Sequence, residues 1–93
     1  MELLVHDNAI EPLIELNKLG NEKSIFKIRM KGYTWSGVNV DVVLVEQEKD
    51  MKIYSKDEFR FFIDPFLEEK FSQIIIEYTD SWFKKGFIVR VKD

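Results

Sequence analysis

Few side chains in this sequence have the chemistry of a catalytic or metal-binding site. Its 93 residues include one histidine, His6, and no cysteine. Asp7 and Asn8, which follow His6 directly, are poorly placed to share one metal ion with it, and no partner that would orient a histidine base is recognisable. We therefore predict that His6 is a surface or strand-end residue. Without a thiol, cysteine chemistry and a disulfide framework are both excluded for these residues.

A second group of potential ligands is acidic, with Glu46, Glu48 and Asp50 in the run 46–50. This run lacks the glycine and the ladder of oxygen ligands of a calcium loop. Lys49 and Lys52 lie beside it, so we predict a solvated turn. No nucleophile elbow, phosphate loop or dinucleotide motif is present in the sequence. We predict no catalytic residue, no metal ligand and no cofactor, and hence a protein that is not an enzyme.

Lys27, Arg29 and Lys31 alternate with apolar residues and so share one face of a predicted strand. This candidate basic face has two interpretations. It could bind an anion or a nucleic acid, or it could pair across strands with acids such as Asp41 or Glu77. The second interpretation is favoured, because a binding groove would normally also recruit basic residues elsewhere. The net charge of −3 separately argues against a nucleic-acid partner.

The aromatic residues fall into two groups. Phe59, Phe61 and Phe87 follow strand spacing and are predicted to lie in the core. Four others lie in predicted loops and form a candidate interaction loop: Tyr33, Trp35, Trp82 and Phe83. Tyrosine and tryptophan dominate binding hot spots, which favours contact with a partner. The alternative, slightly favoured in so small a domain, is that these loops fold back over the core.

The elements that must position these residues follow from periodicity. A short strand over residues 3–5 precedes an amphipathic helix capped by Asp7 or Asn8, with an Asn8–Glu11 capping pair and Pro12 in the first turn. Its apolar stripe runs from Ala9 to Leu19, and Gly20 and Asn21 end it. Period-2 strands are predicted at 25–31, 38–45, 51–54, 59–63, 74–78 and 87–91, with loops at 32–37 and 80–85 and a helical turn at 65–71. The prediction is one α+β domain, mostly β, over residues 1–93.

No apolar run approaches the roughly 18 residues that a membrane span requires. The N-terminal residues lack the basic start and apolar core of a signal peptide, so the expected compartment is the cytoplasm.

The order of elements and three local motifs resemble the A-type iron–sulfur carrier (HesB/IscA-like) family. The first motif is the strand 28–31 running into a loop that ends at 35–37, where the family has Gly-Cys-Ser-Gly. The second, at 62–65, is similar to the strand that ends in Val-Asp. The third, at 76–87, is similar to the family's Leu-Asp-Tyr to Gly-Phe run, and residues 7–9 fit its helix start. The resemblance implies a small mixed β-sandwich or pseudo-barrel and a homo-oligomer.

The sequence departs from the family at the cluster ligands. Trp35 occupies the position of the loop cysteine, and the two tail cysteines would follow Val91, where the sequence ends at Asp93 without them. Iron–sulfur clusters are held mainly by thiolates. The resemblance therefore implies a cluster-free, non-enzymatic binding or interaction protein linked to iron–sulfur assembly, with an unknown protein partner. The alternative is a small-molecule or nucleic-acid binder that uses Lys27, Arg29 and Lys31.

Overall fold

The computed structural model describes residues 1–34 and 37–93. In chain order its elements are β1 (Glu2–Val5), α1 (Asp7–Asn17), β2 (Ser24–Thr34), β3 (Gly37–Glu46), β4 (Ile53–Lys56), β5 (Phe59–Ile63), α2 (Pro65–Lys70), β6 (Gln73–Ser81) and β7 (Lys84–Lys92). The strands form a three-stranded sheet of order β1-β6-β7 and a four-stranded sheet of order β3-β2-β5-β4. The predicted class, α+β and mostly β with one N-terminal helix and a short late helix, is confirmed.

Both sheets are mixed. β1 pairs with β6 and β2 pairs with β5 in parallel, whereas β2–β3, β4–β5 and β6–β7 are antiparallel. A parallel pair needs a crossover connection, and both helices lie in such connections. α1 follows β1, and α2 joins β5 to β6 across the two sheets.

One apolar core receives side chains from both sheets and both helices. β6 supplies Ile74 and Ile76, and β2 and β5 supply Phe26, Ile28 and Phe61. The two helices add Ala9, Leu13 and Leu67, and all three are fully buried. Phe59 and Phe87 are half-buried against this core, as their strand spacing predicted.

The start of α1 differs from the prediction. His6 is the N-cap, and its Nδ1 accepts a hydrogen bond from the backbone N–H of Asn8 at 3.3 Å. The predicted cap at Asp7 or Asn8 and the Asn8–Glu11 pair are therefore wrong. Pro12 lies inside the helix, not in its first turn. Leu19 lies beyond the helix end and is 80% exposed, so it does not belong to the buried stripe.

Two predicted loops are largely strand. β2 continues to Thr34 and β3 begins at Gly37, and a register irregularity lies between Met30 and Gly32. β6 and β7 likewise extend to Ser81 and from Lys84. The glycines misled the prediction: Gly32 marks a bulge and Gly86 adopts a φ of 148° within β7, a conformation that L residues rarely adopt.

Candidate functional site

The described residues offer no site for metal chemistry. Within 1–34 and 37–93, no group of three or more histidine, aspartate or glutamate side chains could hold a metal ion. His6 is exposed and serves as a helix cap. Glu46, Glu48 and Asp50 are exposed around the turn after β3, as the prediction of a solvated turn requires. In the described ranges, no helix is long and apolar enough to cross a membrane.

The candidate basic face is partly occupied by contacts within the chain. Arg29 donates to Asp41 through Nε at 3.2 Å and through Nη2 at 2.8 Å, which confirms the predicted cross-strand pairing for this residue. The same contact raises the pKa of the Arg29 guanidinium, chiefly through the hydrogen bond. Glu77 pairs with Arg90 of β7, so its predicted pairing with the basic face is wrong.

The two lysines of this face differ from Arg29. The Lys27 ammonium lies 6.0 Å from the centroid of the Phe62 ring, and the side chain is half-buried. Lys31 is exposed, and among the described residues it forms no ion pair. The face therefore presents two lysines outside any ion pair of the described residues, one of them half-buried, beside an arginine neutralised by Asp41. This arrangement provides only a weak electrostatic field for a polyanion.

Trp82 and Phe83 form the tip of the β6–β7 hairpin, and we call these two residues the aromatic tip. They are 96% and 73% exposed. Their rings stack edge to face with centroids 5.4 Å apart. Ser81 and Lys84 form the last pair of the β6–β7 ladder before the tip, and the Ser81 hydroxyl donates a hydrogen bond to the Lys84 carbonyl at 2.9 Å. The alternative that Trp82 and Phe83 fold back over the core is therefore wrong.

Turn geometry does not account for two bulky aromatics at this position. A two-residue hairpin favours a turn with positive φ at both central residues, supplied by Asn, Asp or Gly. The β4–β5 hairpin follows this rule, with Asp57 and Glu58 at φ of 50° and 70°. Trp82 and Phe83 are not among the described residues with positive φ. Their side chains are thus neither core nor turn formers, which is the pattern of a contact surface.

A groove of about 520 Å³ lies beside the aromatic tip, between α1 and the outer half of the β6–β7 hairpin. Tyr78 and Phe87 contact each other edge to face at 5.1 Å and form apolar lining, to which Leu16 and Leu19 of the α1 side contribute. The remaining lining residues are mostly acidic: Glu11, Pro12, Glu15, Asp80 and Lys85. We call this feature the acidic-rimmed groove. It joins residues in the range 11–19 with residues in the range 78–87, which are far apart in the chain, so periodicity gave no indication of it.

Tyr33 and Trp35 complete the candidate interaction loop. Tyr33 lies within β2 and pairs with Val38, so it is not in a loop. Trp35 lies outside the described residues, and its predicted place in the former ligand loop stays a prediction.

A second cavity, of about 410 Å³, lies next to α2 and is lined by Asp50, Lys52, Phe62, Ile63, Pro65, Glu68 and Glu69. Lys52 and Glu68 form an ion pair of 3.0 Å at this cavity. The hydrogen bond from Lys52 lowers the pKa of the Glu68 carboxyl, against a smaller opposing effect of desolvation. The pKa of Lys52 is raised, first by its hydrogen bond with Tyr54 and then by Glu68. Lys52 and Glu68 therefore neutralise each other at this cavity, whereas Asp50 and Glu69 also line it and form no ion pair among the described residues.

The solved structures that share this fold include the following three. SufA of Escherichia coli, involved in the biosynthesis of iron–sulfur clusters, matches with a TM-score of 0.74 at 13% identity, over 96% of this chain and 79% of SufA. IscA, solved with a [2Fe-2S] cluster, matches with a TM-score of 0.66 at 16% identity, over 98% of this chain and 81% of IscA. A protein from Aquifex aeolicus, solved by NMR, matches with a TM-score of 0.67 at 21% identity, over 97% of this chain and 94% of that one.

No family model matches the sequence, and neither does any curated protein. The likeness therefore lies in the fold, which this chain shares with SufA and IscA. The predicted resemblance to this fold is confirmed, and the 93 residues that adopt it contain no cysteine.

Proposed function

We propose that this protein is a non-enzymatic interaction protein of iron–sulfur assembly that holds no cluster of its own. One observation carries the proposal: the fold of SufA and IscA spans nearly the whole chain, yet these residues contain no cysteine. A chain that has this architecture without thiolates keeps the scaffold and lacks the usual ligands of an iron–sulfur cluster. Tyr33, Trp35, Trp82 and Phe83 are the candidate contact residues.

The direct test of the cluster-free state is anaerobic reconstitution with ferrous iron and sulfide. IscA treated in parallel serves as the positive control. We expect visible absorption and bound iron and sulfide at the level of a protein-free blank. Stoichiometric iron and sulfide that survive gel filtration would overturn the cluster-free assignment.

The link to assembly is tested separately by titrating the chain into a SufA- or IscA-type carrier from the same organism, apo and cluster-loaded. Isothermal calorimetry should show saturable binding to one of the two forms. Absence of binding to both forms, with the chain folded by circular dichroism, would remove the link to iron–sulfur assembly.

A second candidate function uses the basic face to bind nucleic acid or an anionic small molecule. The observation in its favour is Lys31, which is exposed and outside any ion pair of the described residues. Lys31→Glu is a cleaner test than Arg29→Glu, because the latter places a second carboxylate against Asp41. Salt-dependent binding of RNA, DNA or an anionic ligand that Lys31→Glu abolishes would support this function.

A further inference from the structure

We propose that the cavity beside α2 binds an arginine side chain of a protein partner. This cavity of about 410 Å³, which we call the α2 cavity, is lined by residues of the turn before β4, of strand β5 and of helix α2. The inference rests on the proposed function only in that the protein binds a partner. It names the chemistry of one contact with that partner and assigns it to residues outside the candidate interaction loop.

Apolar residues form one part of the lining. Alternation along β5 turns Phe61 and Ile63 into the core and leaves Phe62 half-exposed on the other face of the sheet, where it lines the cavity. Pro65, the first residue of α2, lines it as well. Long basic side chains bury their aliphatic stems against surfaces of this kind while the charged group stays near water. The cavity volume lies within the roughly 300–1,000 Å³ of pockets that enclose a small ligand.

The charged part of the lining has an excess of negative charge. It consists of three carboxylates, on Asp50, Glu68 and Glu69, and one ammonium group, on Lys52. Lys52 pairs with Glu68 at 3.0 Å, whereas within residues 1–34 and 37–93 neither Asp50 nor Glu69 forms an ion pair. Two carboxylates at an apolar surface thus have no cation of the described chain beside them. A cationic group of a partner complements this lining.

The chemistry of the lining favours an organic cation over a metal ion. Among the described residues, no group of three or more acidic or histidine side chains could hold a metal. Aromatic rings here lie close to ammonium groups instead. The Lys52 ammonium is 5.1 Å from the centroid of the Tyr54 ring, and the Lys27 ammonium is 6.0 Å from that of Phe62. Even with Lys27 counted, carboxylates outnumber ammonium groups at the cavity by three to two.

Among organic cations, the guanidinium of arginine suits these neighbours best. Its plane can stack on the Phe62 ring while its N–H donors reach the carboxylates of Asp50 and Glu69. A lysine ammonium is a strongly hydrated point charge and cannot make both kinds of contact at once. Arginine is also enriched in protein–protein interfaces and at their hot spots, which favours a side chain of a partner over a free amine.

NMR titration of the isotope-labelled chain with N-acetyl-arginine methylamide tests the proposal. We expect saturable shifts of backbone amides within 50–52 and 62–69, where the lining residues lie. The Kd should be about 1–10 mM, as for a single charged contact. N-acetyl-citrulline methylamide is the matched control ligand, because it has nearly the same shape without the charge. It should bind at least about tenfold more weakly.

Substitutions of the lining separate its charges from its shape. Asp50→Asn and Glu69→Gln should each raise the Kd for the arginine compound by about fivefold, and the two combined by at least about tenfold. Phe62→Leu keeps an apolar floor and removes the aromatic face, so the Kd should rise by about threefold. Glu11→Gln on α1 removes one negative charge outside the cavity lining and should leave the Kd within about twofold of the parent value.

Three results would overturn the proposal. The first is the absence of saturable shifts up to about 50 mM of the arginine compound. The second is equal binding of the arginine and citrulline compounds. The third is an unchanged Kd in the combined Asp50→Asn and Glu69→Gln variant, with a spectrum that shows the variant folded. Agmatine, a free guanidinium compound, distinguishes the source of the ligand. If it bound about tenfold more tightly than the blocked arginine, the cavity would be a small-molecule site and not a contact for a partner's side chain.

These outcomes are separable from those of the carrier titration. A chain that binds a carrier but no arginine compound contradicts only the assignment of the α2 cavity. A chain that binds the arginine compound but no carrier contradicts only the link to iron–sulfur assembly.

Discussion

The side-chain oxygen of Asn8 accepts a hydrogen bond from the backbone N–H of Tyr78 at 2.9 Å, and this contact ties α1 to β6. β1 pairs with β6 only as far as Val5 and Ile76, so on the β1 side of β6 no strand lies beside Tyr78. Asn8 supplies the acceptor that β1 no longer provides. Since Tyr78 also lines the acidic-rimmed groove, this bond sets the spacing of the two walls.

Replacing Asn8 should therefore weaken the contact between α1 and β6 and lower the stability of the protein. Asn8→Ala leaves the Tyr78 N–H without its acceptor, and we expect the free energy of unfolding to fall by about 1 kcal/mol. Asn8→Asp keeps an acceptor oxygen at the same place and should lose less. Urea denaturation of the three proteins measures both effects. Equal losses in the free energy of unfolding for Asn8→Ala and Asn8→Asp would show that the acceptor oxygen at this position contributes nothing to stability.

His6 is a poor residue for the position it holds. Aspartate, asparagine and serine are the preferred N-caps, and the bond from Asn8 to His6 Nδ1 is long at 3.3 Å. We expect His6→Asp to raise the free energy of unfolding by about 0.5–1 kcal/mol, because a carboxylate accepts more strongly and favours the helix N-terminus. Thermal unfolding at neutral pH checks this. A lower Tm for His6→Asp than for the parent chain would mean that packing contacts of the imidazole stabilise the protein more than a carboxylate N-cap does.

The prediction from sequence succeeded where a single strand or helix carries its own pattern. Phe26 and Ile28 are buried as alternation indicated, and the helical turn predicted at 65–71 is α2, Pro65–Lys70. It failed at His6 because histidine is not a typical cap. It also failed at Gly32 and Gly86, because glycine inside a bulged or positive-φ strand has the same local pattern as a loop.

Local sequence patterns did not predict the parts of the candidate site that depend on contacts between residues far apart in the chain. The parallel pairing of β1 with β6 joins residues about seventy positions apart, and the groove between α1 and the hairpin exists only once that pairing is made. Trp82 and Phe83 were recognised as contact candidates by residue type and by their place in a predicted loop. They stand clear of the core because the β6–β7 ladder continues to Ser81 and Lys84, three residues beyond the predicted strand ends at 78 and 87.

Two phenylalanines provide a matched comparison between the core and the aromatic tip. Phe61 is fully buried and packs against Phe26 at 5.6 Å between centroids, whereas Phe83 is 73% exposed. Phe61→Ala should cost about 3–5 kcal/mol, since it opens a cavity in the core. Phe83→Ala should change monomer stability by no more than about 0.5 kcal/mol. Denaturant unfolding at low protein concentration, where self-association is negligible, measures both. A cost above 1.5 kcal/mol for Phe83→Ala would show that the tip contributes to the fold.

The ion pair of Lys52 and Glu68 should give the stability a specific dependence on pH. The pKa of Glu68 is lowered in the folded protein, first by the hydrogen bond from Lys52. The unfolded chain therefore binds the proton more readily than the folded one. The stabilisation is present above the unfolded pKa of glutamate, about 4.3, and is lost as the pH falls through the lower folded value.

Glu68→Gln removes this contribution, so the parent chain should be more stable than the variant at pH 7 by about 0.2–1 kcal/mol, in the range of a partly exposed pair. The difference should shrink towards zero between pH 5 and about pH 3. Glu69→Gln, on the same helix and outside any ion pair of the described residues, controls for the loss of one negative charge. Urea unfolding at several pH values provides the measurement. A difference between parent and Glu68→Gln that stays constant down to pH 3 would mean that the carboxylate acts through shape and packing, with no contribution from its charge.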